Sequence, residues 1–464
     1  MSKVFVFCVG GTGIRVMKSI TILMASGMST NGHKVVPVIL DPHLDLKEKG
    51  DLHTLLESYK SIYNDSVSAG DGSRLNALPG FFNSEIQMLG DLVTTPIATH
   101  TQAADVSFDS YINRGSLAVN DISHHLIETL FSQKNLNNKL SVGFKGNPNV
   151  GTVVLGKMIE DADWFQSFKD ICEDGDKIFI ISSIFGGTGA SGYPLLEKKI
   201  KGASDRPAVQ KALMGAVTVL PYFSLSDPSR SGSDIDSSNF YTKTKAALAY
   251  YQNTVKSDYL YYVGETSLKK EYVNNEKEQK DAAHFIEVVA ASAFFDFLQK
   301  PRPDNRQYLT RAIKEDKDSI SLADLGEGYK DIVKSVADYM LLSHLIEILP
   351  QEKWFPLKKD RGFTEDFYKD SSFQKIVDFT KIYNNWYREL STNARAFAPL
   401  RMDKEDMSGW IDDITLDAKD ESYYLLEMVK ASNACKKTGQ NNKFRFFLQF
   451  AYEAIDFYTK KIWK

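Results

Sequence analysis

The chain has 464 residues, of which 43% are hydrophobic and 25% are charged, a composition typical of globular proteins rather than of disordered chains. Its 56 basic and 60 acidic side chains give a formal net charge of −4, which does not favour bulk binding of nucleic acid or of an anionic membrane. The three cysteines lie far apart in a pattern that fits neither a zinc site nor a disulfide framework, and no apolar run reaches the ~20 residues of a transmembrane helix. We therefore expect a reduced, cytoplasmic protein.

The first 300 residues alternate between strand-like and helix-like segments. Val4–Val9 is a continuous apolar run, as found in strands that are buried on both faces of a parallel sheet. A Gly-rich segment, Gly10–Gly13, follows at once and leads into apolar residues at helical spacing. Similar runs predict strands at Val35–Leu40, Lys177–Ser183, Ala212–Phe223 and Asp258–Val263. This alternation predicts an α/β fold with a parallel sheet and crossover helices.

Two further regions differ from this pattern. Residues 45–140 are polar and irregular, with short helical patches such as Ile122–Phe131, and we interpret them as a partly helical insertion. A long apolar helix is predicted at about 281–299, where prolines follow it. Beyond it, apolar spacing predicts helices at Ile332–Leu349, Phe373–Glu389, Ser422–Cys435 and Phe444–Trp463. We predict a nucleotide-binding domain at 1–310 and a mostly α-helical domain at 311–464.

Three Gly-rich segments are candidates for binding phosphate: Gly10–Gly13, Gly143–Gly151 and Phe185–Gly192. Glycine lets the backbone approach an anion closely, and the helix that follows supplies free N–H donors and the positive end of its dipole. Ligands of such sheets bind at the carboxyl ends of the strands, so we expect the three segments to converge on one polyphosphate there. The spacing matches neither a G-x-G-x-x-G dinucleotide loop nor a Walker-type loop.

The Gly-rich segments resemble those of the tubulin/FtsZ superfamily. Phe185–Leu196 (FGGTGASGYPLL) resembles the signature loop that reads GGGTGSG in tubulins, and Lys145–Gly151 (KGNPNVG) resembles the FtsZ loop GGNPEVG. Leu40–Leu46 (LDPHLDL) is similar to TDAQDL of FtsZ, and Val217–Phe223 (VTVLPYF) is similar to a strand ending in VTVPF. Val9–Arg15 occupies the place of the first loop, so all five pieces stand in the family's order. The resemblance implies a Rossmann-type parallel-sheet GTPase domain over residues 1–310.

The same resemblance implies a site for GTP or GDP with Mg²⁺. Asp41 would lie near the magnesium ion, although a strand-end Asp is also a common turn or N-cap residue. Arg15 would lie near the base, and Asn239 could replace the guanine-reading Asn of tubulin, whose place His284 takes. Guanine over adenine is therefore implied only by analogy. The residues implied to bind nucleotide are Gly10, Gly11, Thr12, Gly13, Arg15, Gly146, Asn147, Gly186, Gly187, Thr188, Gly189, Ala190 and Asn239.

The resemblance supports nucleotide hydrolysis less well than nucleotide binding. In the superfamily, acidic residues after the central helix of one subunit complete the hydrolytic site of its neighbour. The aligned candidate loop here carries Asn305, Gln307 and Thr310, none of which can act as a carboxylate base, although Asp304 and Glu315 lie nearby. We therefore expect slow or absent hydrolysis.

Three functions remain open on the sequence alone. The first is a tubulin-like protein that binds GTP or GDP and self-associates in a nucleotide-dependent way. The second is a non-polymerising, nucleotide-sensing module whose helical C-terminal region docks a partner protein. The third is an α/β enzyme of another type, such as a cofactor-dependent transferase, against which the lack of a convincing nucleophile or acid–base pair counts.

Two adjacent histidines outside the Gly-rich segments are candidate metal ligands. His124 and His125 are adjacent in the predicted helix Ile122–Phe131, but no cysteine or acidic pattern was recognised beside them. We interpret them as residues of a helix surface.

Overall fold

The central feature of the fold is a parallel sheet. A computed structural model describes residues 2–42, 47–89, 106–140, 144, 146–160, 162–225, 240–265, 271–272, 274–275, 278–279, 282–313, 319–320, 329–350, 363–393, 396–400, 423, 426, 430 and 442–462. Its six long strands are β1 (Lys3–Val9), β2 (Lys34–Leu40), β3 (Lys177–Ser183), β4 (Leu213–Val219), β5 (Tyr259–Glu265) and β6 (Gln307–Ile313). They pair in the order β6–β5–β4–β3–β1–β2, and every pair is parallel.

Helices connect these strands and extend the chain beyond them. The long ones are α1 (Gly10–Ala25), α2 (Lys47–Val67), α3 (Pro148–Glu160), α4 (Asp163–Ile171), α5 (Gly187–Lys201), α6 (Phe240–Thr254), α7 (Phe285–Gln299), α8 (Lys330–Ile348), α9 (Ser371–Ser391) and α10 (Lys443–Ile462). Shorter helices are Phe108–Tyr111, Arg114–Ser116, Ile122–Leu130, Gln133–Leu136, Pro207–Lys211 and Glu365–Lys369. Two-residue strands pair Ser224–Leu225 with Glu271–Tyr272, Asn274–Asn275 with Glu278–Gln279, and Ser319–Ile320 with Ala396–Phe397. The predicted parallel α/β sheet followed by a mostly helical region is confirmed.

The predicted insertion contains more regular structure than its sequence indicated. α2 is a 21-residue helix, where the sequence analysis expected only short helical patches in this region. Its apolar residues Leu52, Leu55 and Tyr59 are buried and belong to the same apolar cluster as residues of α1. The helix predicted at Ile122–Phe131 is confirmed, with bounds Ile122–Leu130.

The sheet separates two apolar layers because successive side chains of a strand point to opposite faces. On β1, Phe5 and Phe7 face a layer with α3, α4 and α5, whereas Val4 and Val6 face a layer with α1, α2 and α7. The described helices beyond residue 329 join this second layer, in which Tyr339 of α8 and Tyr383 of α9 stack with ring centroids 4.0 Å apart. The helical region is therefore packed directly against the sheet domain. Among the described residues, no helix is long and apolar enough to cross a membrane.

A buried carboxyl in this helical region makes stability depend on pH. Asp338 of α8 is buried, and burial raises its pKa to about 6, although the ammonium of Lys334 donates a hydrogen bond to it and acts in the opposite direction. A folded-state pKa above the ordinary 3.8 means that the stability contributed by this carboxyl is present below that value and lost as pH rises to about 6.

We therefore expect Asp338→Asn to change the pH dependence of unfolding. The free energy of unfolding of the variant, relative to that of the natural protein, should increase by roughly 2–3 kcal/mol between about pH 4 and pH 6, because the amide does not titrate. Urea unfolding at a series of pH values would measure this difference. A difference that does not change with pH would contradict the assignment.

Candidate functional site

The three Gly-rich segments meet at the carboxyl edge of the sheet. A β-carbon placed on Gly10, directly after β1, would lie 3.3 Å from the Thr188 Cβ atom in the first turn of α5. A β-carbon on Gly187 would lie 3.1 Å from the Asn147 amide nitrogen and 3.2 Å from that of Gly146. The three segments therefore lie close together, whereas their convergence on one polyphosphate stays a prediction. Each segment approaches the next more closely than most side chains would permit.

The first Gly-rich segment is itself the start of a helix. Gly10–Gly13 was expected to form a loop ahead of the helix, but it forms the first turn of α1. Gly10 has φ of +75°, which favours glycine, and a β-carbon on Gly13 would lie 2.7 Å from the Cys8 carbonyl carbon. Glycine is thus needed at both positions for the helix to begin against the end of β1.

Two of the helices that begin at this edge, α1 and α5, lack side-chain caps at their N-termini. Val9 and Gly186, the N-cap residues of α1 and α5, provide no side-chain hydrogen bond to the helix, and neither first turn contains an acidic residue. The first N–H groups of a helix lack partners within it, and the aligned peptide dipoles place about half a positive charge there. Two such N-termini side by side form a region suited to an anion, in particular to a phosphate.

The turn that begins α5 is held rigidly by its neighbours. A β-carbon on Gly189 would lie 2.5 Å from the Ser183 carbonyl oxygen at the end of β3. The Ser191 hydroxyl donates to the Gly187 carbonyl over 2.7 Å, and the Tyr251 hydroxyl donates to the Ala190 carbonyl over 3.1 Å. These bonds engage carbonyl groups of the turn and not its N–H groups. The predicted residues Gly186, Gly187, Thr188, Gly189 and Ala190 all lie in this turn.

A lysine that the sequence analysis did not select lies at the same place. Lys243 of α6 donates a hydrogen bond from Nζ to the Gly146 carbonyl oxygen over 2.7 Å. The ammonium group therefore brings a positive charge to the second Gly-rich segment and fixes its distance from α6. Because α6 follows the neighbouring strand β4, a cation in its first turn could have been considered from the predicted order of elements alone.

Arg15 lies in a buried ion pair. Its Nε atom donates to Glu287 Oε1 over 2.9 Å, its Nη2 atom donates to the Tyr222 hydroxyl over 2.9 Å, and both charged side chains are less than 10% exposed. Burial raises the pKa of Glu287, and the Arg15 guanidinium opposes that shift. This pair joins the second turn of α1 to the first turn of α7. The predicted contact of Arg15 with a nucleotide base stays a prediction.

Aromatic rings border the same region. Phe185, which stands where the superfamily has a glycine, lies 4.9 Å from the Phe240 ring and 5.5 Å from the Phe223 ring, measured between centroids. His284 is the N-cap of α7, where its Nδ1 atom accepts the Ile286 N–H over 3.1 Å. Phe185, Phe223 and Phe240 are each less than 10% exposed and belong to the main apolar cluster, so they pack the residue before Gly186 into the core.

Two other residues were predicted at the site, Asp41 for magnesium and Asn239 for the base. Asp41 is buried and follows Leu40, which pairs with Val9 across β1 and β2, so Asp41 and Gly10 leave the sheet side by side. A carboxylate at this point is a suitable ligand for Mg²⁺ beside a phosphate. Asn239 lies outside the described residues.

The candidate catalytic loop needs correction. Only Asn305 precedes β6, whereas Gln307 is its first residue and Thr310 lies in its middle, paired with Tyr262 of β5. The apolar residues of this segment (QYLTRAI) do not alternate with polar ones, so its sequence gave only a weak signal for an edge strand. Gln307 pairs with Tyr259 at the amino end of β5, so it lies at the opposite edge of the sheet from the Gly-rich segments. Around it is an open depression of about 460 Å³.

Comparison with known proteins finds structural similarity only. No known family and no curated protein matches the sequence. The chain is similar to CetZ2 from Haloferax volcanii in a GTPγS-bound protofilament and to CetZ from Methanosaeta thermophila strain DSM 6194, each with 12% identity and a TM-score of 0.31. The similarities cover 64% and 72% of this chain, which spans only 58% and 60% of those two chains. Similarity at this level of identity and TM-score assigns no function.

Proposed function

We propose that this protein binds a nucleoside di- or triphosphate, GTP or GDP, across its three Gly-rich segments. The observation that carries the proposal is the contact of Gly10 with Thr188 and of Gly187 with Gly146 and Asn147, which brings two uncapped helix N-termini together. The Lys243 ammonium supplies a positive charge beside them. Such a concave, positively polarised surface without acidic residues in either helix turn is suited to a polyphosphate.

Mg²⁺ is proposed as the accompanying ion. Asp41 would hold it, because this buried carboxylate leaves the sheet next to Gly10 and offers the oxygen ligand that magnesium prefers. A bound magnesium ion would neutralise part of the phosphate charge. The protein residues themselves would position the phosphates through backbone N–H groups of α1 and α5.

Identification of the bound nucleotide would test the binding proposal. We expect the purified protein to release GDP or GTP on denaturation, detected by mass spectrometry, and to bind added GTP more tightly than ATP in a calorimetric titration. Preference for ATP would correct the base assignment. Absence of both bound nucleotide and measurable affinity for either would overturn the proposal.

Self-association with slow hydrolysis is the accompanying proposal for this tubulin-like chain. Its support is the resemblance together with the placement of Asn305 and Gln307 at the sheet edge opposite the Gly-rich segments, where a neighbouring copy would meet them. Asn305, Gln307 and Thr310 provide no carboxylate base, so hydrolysis would be slow. The alternative is a non-polymerising cytoplasmic module in which nucleotide alters how the C-terminal helices dock a partner protein.

Light scattering and negative-stain imaging with GTP and with GDP separate these alternatives. Filaments that form only with GTP would support self-association, whereas a monomer with both nucleotides would favour the regulatory module. Phosphate release as fast as that of an active FtsZ would contradict slow hydrolysis.

Lys243→Met should weaken nucleotide binding by about 10- to 100-fold, because a charge-assisted hydrogen bond contributes ~1.5–3 kcal/mol. The matched control is Lys245→Met, which removes the same charge from an exposed position two residues along α6. Calorimetric titration with GDP would measure both affinities. Equal affinities for the two variants would show that Lys243 has no part in binding.

A further inference from the structure

The short helix Ile122–Leu130 presents three potential metal ligands on one side. His124, His125 and Glu128 each offer one ligand atom, and these atoms all lie within 4.8 Å of one another. His124 and Glu128 are one helical turn apart, with 3.6 Å between Nδ1 of the histidine and Oε2 of the glutamate. Glu128, four residues after His124, completes the set that the two adjacent histidines begin. We propose that these three side chains bind a zinc ion.

The environment of the His124 Nδ1 atom supports the proposed zinc site. Its side chain is only 12% exposed, and its Nδ1 atom is shielded from solvent without a hydrogen-bond partner in the described part of the chain. A shielded ring nitrogen normally makes a hydrogen bond, because leaving a buried polar atom without one is costly. A metal bond at Nδ1 would satisfy the atom, and the neighbouring Glu128 carboxylate would be the second ligand.

Glu128 is oriented for this role by a separate ion pair. Nη1 of Arg114 lies 3.8 Å from Oε1, while Oε2 faces His124, so the two carboxylate oxygens have different neighbours. Arg114 is itself held by a hydrogen bond from its Nε atom to the Asp109 carboxylate. The oxygen on the side of the histidines is therefore available to a metal while the other remains with the arginine.

The distances and donor types select zinc among common ions. Two ligands at zinc bond lengths of about 2.0–2.1 Å lie roughly 3.3–3.5 Å apart in a tetrahedral site. The 3.6 Å between His124 and Glu128 is close to this value, whereas the set of three atoms, which lie within 4.8 Å of one another, must contract around the ion. Two imidazoles and one carboxylate suit zinc, whereas magnesium and calcium prefer oxygen ligands alone. Three protein ligands leave a fourth position for water or for an external ligand.

Titration with Zn²⁺ and with its spectroscopic substitute Co²⁺ tests this site in the full-length protein. We expect one zinc equivalent to bind, and the cobalt form to show the visible absorption of a four-coordinate site without a thiolate charge-transfer band. His125→Gln and Glu128→Gln change exposed side chains, and each should weaken zinc affinity by at least about tenfold. His124→Gln should have a similar effect.

The matched control is His53→Gln, which removes an exposed histidine from α2 and should leave zinc affinity unchanged. Thermal unfolding of each metal-free variant would show whether the substitution has altered folding. If the triple variant of His124, His125 and Glu128 binds zinc as tightly as the natural protein, or if the cobalt spectrum indicates thiolate ligands, the proposal is overturned. Nucleotide affinity is not expected to change in any of these variants, so this test is independent of the nucleotide site.

Discussion

Gly187→Asp should abolish measurable nucleotide binding. A β-carbon at this position would lie 2.9 Å from the Phe144 Cβ atom and 3.1 Å from the Asn147 amide nitrogen. Because both neighbours belong to the second Gly-rich segment, the substitution must push that segment away from α5. The donors of the two segments would then no longer face one phosphate group, and the geometry that supports the proposed site would be lost.

The negative charge introduced by Gly187→Asp would weaken nucleotide binding further. A carboxylate about 4 Å from a phosphate charge costs on the order of 4 kcal/mol at an effective dielectric constant of 20, equivalent to roughly a thousandfold in Kd. Gly187→Ala separates the two effects because it introduces the β-carbon without the charge. We expect the alanine variant to bind with intermediate affinity.

Gly50→Asp is the matched control for this experiment. Gly50 is exposed in the first turn of α2, nothing lies within 4 Å of a β-carbon there, and an acidic residue near a helix N-terminus is favourable. Affinities for GDP from calorimetry, together with melting temperatures, would separate lost binding from lost folding. A folded Gly187→Asp variant that binds GDP as tightly as the control would show that the nucleotide lies elsewhere.

The sequence was sufficient for the central strands and for the three Gly-rich segments. Val4–Val9 and Lys177–Ser183 are predicted well because strands buried on both faces have continuous apolar runs, and each run ends at a glycine-rich turn. The edge strand β6 was not predicted from the sequence because it is only partly buried. Tyr308 within it is 52% exposed, and its mixed polar sequence gives a weak strand signal.

The contacts made by charged side chains at the site could not be read from spacing. Lys243 meets Gly146 across 97 residues of sequence, and Arg15 meets Glu287 across 272 residues. Periodicity predicts which face of a helix is apolar, but it does not say which distant element supplies the partner of a polar group. Only the order of strands in the sheet brings these residues together.

Replacement of either member of the buried ion pair should destabilise the protein strongly. Removing one partner of such a pair leaves a buried charge without compensation, which costs roughly 3–5 kcal/mol in the free energy of unfolding. We expect losses of this size at pH 8 for both Arg15→Met and Glu287→Gln, measured by urea unfolding. Replacing both charges with apolar residues should cost less than either single change, because no charge is then left buried.

The two single variants should differ in their response to pH. In Arg15→Met the remaining Glu287 can escape its penalty by taking up a proton, and burial already raises the pKa of this carboxyl. Loss of the guanidinium removes the main interaction that lowers the pKa of Glu287, so the carboxyl should take up a proton more readily. The destabilisation caused by Arg15→Met should therefore become smaller as pH falls from 8 towards 5. In Glu287→Gln the remaining guanidinium cannot lose its proton in this range, so its cost should stay nearly constant.

The same two variants also test whether Arg15 contributes to nucleotide binding. If the arginine served only the ion pair, Glu287→Gln and Arg15→Met would weaken nucleotide affinity equally, since each disturbs the same junction between α1 and α7. A larger loss with Arg15→Met, at a pH where the two variants are equally stable, would mean that the guanidinium also contacts the nucleotide. Equal losses would assign Arg15 to holding α7 against α1 beside the first Gly-rich segment, with no direct part in base recognition.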